Sequence, residues 1–254
     1  MTGLTVELSD KVATVTLDRA PVNALTLALY EELGDLMTQL GRREDIGCIV
    51  LAAGGSKAFC AGLDLKEFLA ATVEEDPKRA AIVRAMFASV RHCALPVVAA
   101  VNGPALGAGC VLASVCDIRI ASTSATFGLP EINVGRCGGT AHMGRHLPQG
   151  LLRKMFFTGL PIDAAEAYRV GFVQELVAPD ALRERAQALA SIIAGKAPLG
   201  LRRGKYALNQ IEYMNVDDGY AVEQLHSTIL MNTADAREAT RAVVEKRAPV
   251  FQGR

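Results

Sequence analysis

"LPVVAAVNGPALGAGCVLASVCDIRIAS", residues 95–122, carries the alternation on which the fold turns. An apolar strand-like run lies within "LPVVAAVNG", a short helix-like run follows Gly107, and a second strand lies within "DIRIAS". Two strands joined through a helix at this spacing belong to an α/β body with right-handed crossovers. Upstream, "IGCIVLAA" (46–53) is a short continuous apolar run, as expected of a strand buried on both faces. "TVELSDKVATVTL" (5–17) reads as a hairpin-like pair of strands around Ser9-Asp10. Between them Leu25, Leu29, Leu33, Leu36 and Leu40 recur every three or four residues, which predicts one amphipathic helix ending near Gly41.

The same alternation continues outward. A helical stretch lies within 73–92, helical "PQGLLRKMFFTG" and "DAAEAYRVG" follow, and strand-like "FVQELV" precedes a chain that is helical in pattern from Pro179 onward. The division this predicts is a core over 1–195 and a helical region over 196–254. Too little strand accompanies that region to bury its apolar faces, so they require the core or neighbouring copies of the chain.

Composition narrows the function. The 254 residues are 50% hydrophobic and carry 27 basic against 27 acidic side chains. Zero net charge argues against a dedicated nucleic-acid binder. The densest basic cluster, "RRGK" (202–205), reads as a solvated helix face ahead of a local anion contact. Cys48, Cys60, Cys93, Cys110, Cys116 and Cys137 never form C-x-x-C, so neither a zinc ribbon nor a redox pair is indicated; they read as small buried thiols of a reducing compartment. No amino-terminal leader pattern and no window of ~18 apolar residues stands out, so a cytoplasmic protein without a membrane span is expected.

Three stretches carry candidate chemistry. In "SKAFCAGLDLKEF" (56–68), Gly62 sits where a strand-like segment turns toward a helix, which leaves the Leu63 N–H pointing outward. Gly107 should do the same for Ala108. Two converging N–H donors form an oxyanion hole, which stabilises charge developing on a carbonyl oxygen. Neither turn fits the phosphate-loop or dinucleotide patterns. In "ATFGLPEINVGRCGGTAH" (125–142), Glu131 follows Pro130 and lies among Phe127, Leu129, Ile132 and Val134. Apolar surroundings disfavour a charged carboxylate, raise its pKa and suit it to proton transfer near neutrality.

"FCAGLDLKEF", "PVVAAVNGPALGAGC" with "CDIRIAS", and "ATFGLPEINVG" resemble, in order and spacing, the blocks of the crotonase (enoyl-CoA hydratase/isomerase) superfamily. "PVNAL" (21–25) and "DAREATRAVVEKRAPVF" (235–251) resemble its two ends, so the resemblance covers nearly the whole chain. It implies a crotonase-like α/β spiral of ββα units, with a carboxy-terminal helical region that builds trimers, often paired into hexamers. It implies coenzyme A thioester substrates, with coenzyme A as part of the substrate and no separate cofactor or metal. The catalytic groups it implies are the backbone N–H groups of Leu63 and Ala108 together with Glu131. The substrate-binding positions it implies are Val22, Ala24, Ala61, Gly62, Leu63, Asp64, Leu65, Lys66, Gly107, Ala108, Lys246 and Phe251, the last two across a subunit boundary.

The chain also departs from that pattern. Hydratases of the superfamily generally use two glutamates to place and deprotonate a water, and the first of these falls here at Val111. The loop after Glu131 is the short "GRCGGT" (135–140), where typical hydratases resemble G-x-x-P-G-A-G-G-T. One retained glutamate resembles the family's enoyl-CoA isomerases, in which a single base moves a proton along a thioester enolate. Carbon–carbon hydrolysis through the same enolate ranks second, with His142 or Arg145 assisting, and hydration third. A non-catalytic acyl-CoA binder is the reading outside enzymes. His146, Arg136 and Cys137 are recommended only by proximity, and His92 and His226 lie in plain helical contexts.

Overall fold

The computed structural model describes residues 3–254. Its main sheet has the order β1-β2-β3-β4-β6-β9, built from β1 (Leu4–Ser9), β2 (Val12–Leu17), β3 (Cys48–Ala53), β4 (Val97–Val101), β6 (Ile118–Ser122) and β9 (Glu175–Val177). The β1–β2 pair is antiparallel and every later pair is parallel. A second sheet of order β5-β7-β8 joins β5 (Ala105–Leu106), β7 (Thr126–Gly128) and β8 (Ile162–Asp163). Its strands are only two or three residues long, too short for a two-residue alternation to stand out in sequence, and it was not anticipated.

Burial explains the layering. In β3, Ile49 and Leu51 face the larger core while Cys48 and Val50 face the other side of the sheet. On the larger side lie α1 (Leu27–Arg42) and α3 (Asp76–Arg91), which contribute Leu29, Leu33, Met37, Met86, Phe87 and Val90. Fully burying each such side chain is worth about 1.5–3 kcal/mol. On the other side α8 (Leu182–Ala194) presents Leu182, Ala186, Ala190 and Ala194 at four-residue spacing. That row of mostly small residues lets the helix lie close to the sheet. Thr26 caps α1 by accepting from the Leu29 N–H at 3.3 Å.

Three sequence expectations are corrected. The first turn is Asp10-Lys11 rather than Ser9-Asp10, because Ser9 still pairs with Val12 and the two residues between them take φ of 49° and 63°, as a tight primed hairpin turn needs. Cys137 is exposed, although the other five cysteines are buried. The "RRGK" cluster is not a solvated face: Lys205 is 6% exposed and its Nζ donates to Asp117 Oδ2 at 2.6 Å and to the Leu95 carbonyl at 3.0 Å. Arg202 likewise donates to the Gly41 and Arg43 carbonyls.

These bonds pin α9 (Pro198–Ile211) to the body of the protein. The helix α10 (Val216–Met231) packs on α9, and α11 (Ala234–Val244) follows it, leaving Tyr220, Leu225, Met231, Val243 and Val244 exposed. Among the described residues no helix is long and apolar enough to cross a membrane.

Candidate active site

Two glycine turns meet at the ends of the sheet. Gly62 has φ +93° and Gly107 has φ +53°, both in the region that L side chains avoid. A Cβ on Gly62 would stand 3.3 Å from the Ala108 amide nitrogen, so the two turns are in contact. Ala108 opens α4 (Ala108–Val115), where the first amide groups lack an intrahelical acceptor. The Leu63 turn is held by its flanks: Leu25 N–H donates to the Gly62 carbonyl at 2.7 Å and Asp64 N–H to the Leu25 carbonyl at 2.9 Å. Neither the Leu63 nor the Ala108 N–H donates to a protein acceptor among the described residues.

The segment 19–25 fixes the first turn. Asn23, buried with φ +55°, donates to the Gly54 and Ala58 carbonyls at 3.0 Å each, and Ala61 N–H donates to the Val22 carbonyl at 3.0 Å. Arg19 binds Asp64 Oδ2 at 2.8 Å and the Ala24 carbonyl at 2.9 Å. The other Asp64 oxygen caps α2 (Leu65–Ala70) through the Lys66 and Glu67 N–H groups. Those backbone bonds and Arg19 hold the Asp64 carboxyl below its usual range. Val22, Ala24 and Asp64 thus build the turn from behind.

Glu131 is carried by a five-residue 3₁₀ helix (Pro130–Val134). Its Oε1 is 3.1 Å from the place a Cβ on Gly107 would take, and its Oε2 is buried with no hydrogen-bond partner. Burial holds its carboxyl above the ordinary carboxylate value. The cause differs in part from the sequence expectation, because Ile132 and Val134 are exposed while Phe127 and Leu129 are buried. The remaining apolar walls come from other elements, Tyr30 of α1 and Val111 of α4. Arg136 N–H donates back to the Glu131 carbonyl at 3.0 Å, and a Cβ on Gly138 would stand 3.8 Å from Glu131 Cγ, so the short "GRCGGT" loop folds back beside the Glu131 side chain.

These pieces border one cavity of about 530 Å³. It brings together Ala61, Gly62, Leu63, Leu65, Gly107, Ala108 and Glu131 of the expected site, with Val111 beside them. Val22, Ala24, Asp64, Lys66, His142, Lys246 and Phe251 are not on its wall. Lys246 and Phe251 lie past α11 in a tail that folds back on that helix, Asp235 accepting from the Gln252 and Gly253 N–H groups. The wall residues that sequence reasoning missed are Tyr30, Phe68, Arg79, Val83, Arg84 and Phe87. The stretch 69–92 is expected from the sequence to supply pocket wall, and Arg79, Val83, Arg84 and Phe87 come from it; which of its residues turn inward was not readable, since that depends on how α3 packs on α1. At the mouth, Arg136 stacks over the Phe68 ring at 4.7 Å and pairs with Asp76 at 2.9 Å.

The other candidates take structural places. His142 packs its ring 5.6 Å from that of Phe87, and burial together with Arg145 and Arg91 keeps it below its ordinary pKa. Arg145 pairs with Glu212 at 2.6 Å. His146 bonds the Ser114 carbonyl at 2.9 Å, and burial pushes it down to about 4. His226 bonds Gln210. Among the described residues no three His, Cys, Asp or Glu side chains gather as a metal-ligating group.

A site of two free amides, one half-buried carboxylate and a largely apolar cavity can stabilise an enolate and move a proton beside it. Residues 7–254 match the family described as enoyl-CoA hydratase/isomerase. A Mycobacterium tuberculosis protein named (7aS)-7a-methyl-1,5-dioxo-2,3,5,6,7,7a-hexahydro-1H-indene-carboxyl-CoA hydrolase is 38% identical over 92% of this chain and 95% of its own. The 2,3-dehydroadipyl-CoA hydratase of Escherichia coli is 36% identical over the full length of both chains. An enoyl-CoA hydratase crystal structure from Bacillus anthracis is 33% identical and superposes with a TM-score of 0.95 over 99% of this chain and 100% of that one.

Proposed function

The chain belongs to the enoyl-CoA hydratase/isomerase family, and from that premise we propose that it shifts the double bond of an enoyl-CoA thioester by single-base proton transfer. The Leu63 and Ala108 N–H groups would receive the thioester oxygen, stabilising the enolate formed when Glu131 removes a proton from the bound acyl chain. The same carboxyl then returns the proton two carbons away. The observation that supports this reading is the Glu131 carboxylate, whose Oε2 is buried and unpartnered beside the glycine turns, while Val111, where the resemblance implies the first hydratase glutamate, can neither bind water nor move a proton.

A second reading has its own support. The relative named as a hydrolase of a carboxyl-CoA ring compound suggests that Glu131 could instead activate a water against a second carbonyl, again through the enolate. Incubation with 3-enoyl, 2-enoyl and cyclic β-diketo thioesters of coenzyme A, followed by mass analysis, separates the two. Unchanged mass with a moved double bond supports isomerisation, whereas a gain of one water on the cyclic substrate supports hydrolysis. A gain of one water on the 2-enoyl substrate alone identifies a hydratase and overturns both. Binding of every thioester with turnover of none identifies an acyl-CoA binder.

The proposed enzyme is a cytoplasmic homo-oligomer. The exposed apolar side chains of α10 and α11 suit burial against further copies, in a trimer or a pair of trimers, which would bring Lys246 and Phe251 of one copy toward the coenzyme A of the next. Sedimentation equilibrium reads the copy number directly.

A further inference from the structure

The wall of the cavity is more basic than a plain hydrocarbon chain requires. Five charged side chains border it: Arg79, Arg84 and Arg136, against Asp76 and Glu131. Arg136 and Asp76 pair with each other, and burial favours the neutral form of Glu131. Arg79 and Arg84 are left without a carboxylate among the described residues. Arg79 Nη2 is buried and has no hydrogen-bond partner. A guanidinium donor removed from water and left unmatched is costly, and a ligand anion that met it would recover the loss.

Position along α3 shows what kind of anion. Arg79, Val83 and Phe87 are spaced by four, so they share one face of the helix and all three line the cavity. Phe87 is buried, its ring 6.1 Å from that of the buried Tyr30, whose phenol is close enough to Glu131 to feel its charge. Arg79 is eight residues away, ~12 Å along the axis. A ligand running along this face of α3 passes Val83 between Phe87 and Arg79. The fixed fork of an arginine suits a carboxylate in two-point contact.

Resting on the coenzyme A thioester reading above, we propose that the acyl group carries a second carboxylate at its far end and that Arg79 receives it, with Arg84 adding charge nearby. The substrates are then thioesters of dicarboxylic acids. Each methyl-ended acyl group leaves the Arg79 guanidinium unmatched.

The test compares saturated, unreactive ligands by calorimetry on the intact protein: adipyl-CoA against hexanoyl-CoA, and suberyl-CoA against octanoyl-CoA. The carboxylated member of at least one pair is expected to bind about ten- to a hundredfold more tightly. In R79M that ratio falls toward one, while R79K, which keeps a charge without the fork, retains part of it. Thermal melts establish that each variant is folded, and the wild-type ratio alone already decides the proposal should R79M not fold. Equal binding within both pairs overturns the inference and leaves the thioester reading standing. So does a loss in R79M that is equal for both members, since Arg79 would then serve the phosphates of coenzyme A. Failure of all four ligands to bind removes the thioester reading itself and the inference with it.

Discussion

Glu131 Oε1 stands 3.1 Å from the point where a Cβ on Gly107 would be, so the carboxylate and the glycine turn that frees the Ala108 N–H lie against each other. One turn therefore serves two purposes. Its positive φ exposes the amide, and its missing side chain makes room for the base.

Gly107→Ala tests both purposes together. The alanine must adopt φ +53° and crowd Oε1, and residues in such regions cost about 1–3 kcal/mol. Loss of a single oxyanion donor lowers kcat by ~10²- to 10³-fold. Turnover on the best thioester from the mass-analysis panel should fall by that much, while thermal melting shows a folded protein. Retention of turnover within threefold would remove Ala108 N–H from the mechanism.

Glu131→Gln keeps the shape and removes the base. Turnover should drop ~10²- to 10⁴-fold with affinity for coenzyme A itself little changed. His142→Gln, by contrast, touches a ring that packs on Phe87 behind the cavity wall, and it should change turnover by less than about tenfold. If the two effects were reversed, the base would be His142.

The elevated carboxyl of Glu131 has two consequences with pH. As a base it must be ionised, so kcat/KM should rise with pH along a limb centred above the ordinary carboxylate value of 4.5, and E131Q should lack that limb. Stability moves the other way. The folded protein holds this proton more tightly than the unfolded chain, so the contribution is fully present below the unfolded pKa and is lost as pH rises through the folded one. Denaturant unfolding across that window should show wild type losing stability relative to E131Q as pH rises. A constant difference would mean that burial does not shift the group.

How much of this was legible in sequence depends on where each feature gets its cause. The strands at 48–53 and 97–101 were readable because their apolar runs are local facts, and so were the turns at Gly62 and Gly107. The approach of Glu131 to Gly107 was not, since it depends on the second sheet, whose strand β7 runs into the Glu131 segment and pairs with β5, the strand that runs into Gly107. The burial of Lys205 was hidden for a related reason: "RRGK" looks solvated until Asp117, 88 residues earlier, supplies the counter-charge. Family resemblance supplied the order of the site blocks. It left the inward face of α3, and hence Arg79, unread.

Lys205→Met tests that counter-charge. The Lys205 side chain is 6% exposed, and Asp117 also accepts from the Val97 N–H at 2.7 Å, so the pair ties α9 to β4 and to the loop before β6. Removing one partner of a buried pair strands the other charge and costs about 3–5 kcal/mol, here toward the lower end because Asp117 is 30% exposed. Denaturant midpoints should report that loss. Lys205→Met with Asp117→Asn should recover part of it, and a double variant no better than the single one would show that packing, rather than charge, holds α9.

The last prediction concerns Val111→Glu, which places a carboxylate at the position where the sequence resemblance implies the first hydratase glutamate. Val111 is 3% exposed on α4 and borders the cavity with Glu131, while its Cγ2 lies 2.8 Å from where a Cβ on Gly139 would stand. A glutamate there has the cavity as its outlet, because the Gly139 side is closed. Two acids facing one cavity raise the pKa of one member, which supplies an acid and a base together and a place for a shared water. Burying the new group costs about 1–3 kcal/mol while it is unpaired, so folding must be checked first by thermal melting. The folded variant should hydrate crotonyl-CoA slowly but above the parent level, with the short 135–140 loop limiting the rate. If the parent itself hydrates crotonyl-CoA at ~1 to 10³ per second, a single glutamate suffices and the significance given to Val111 is wrong.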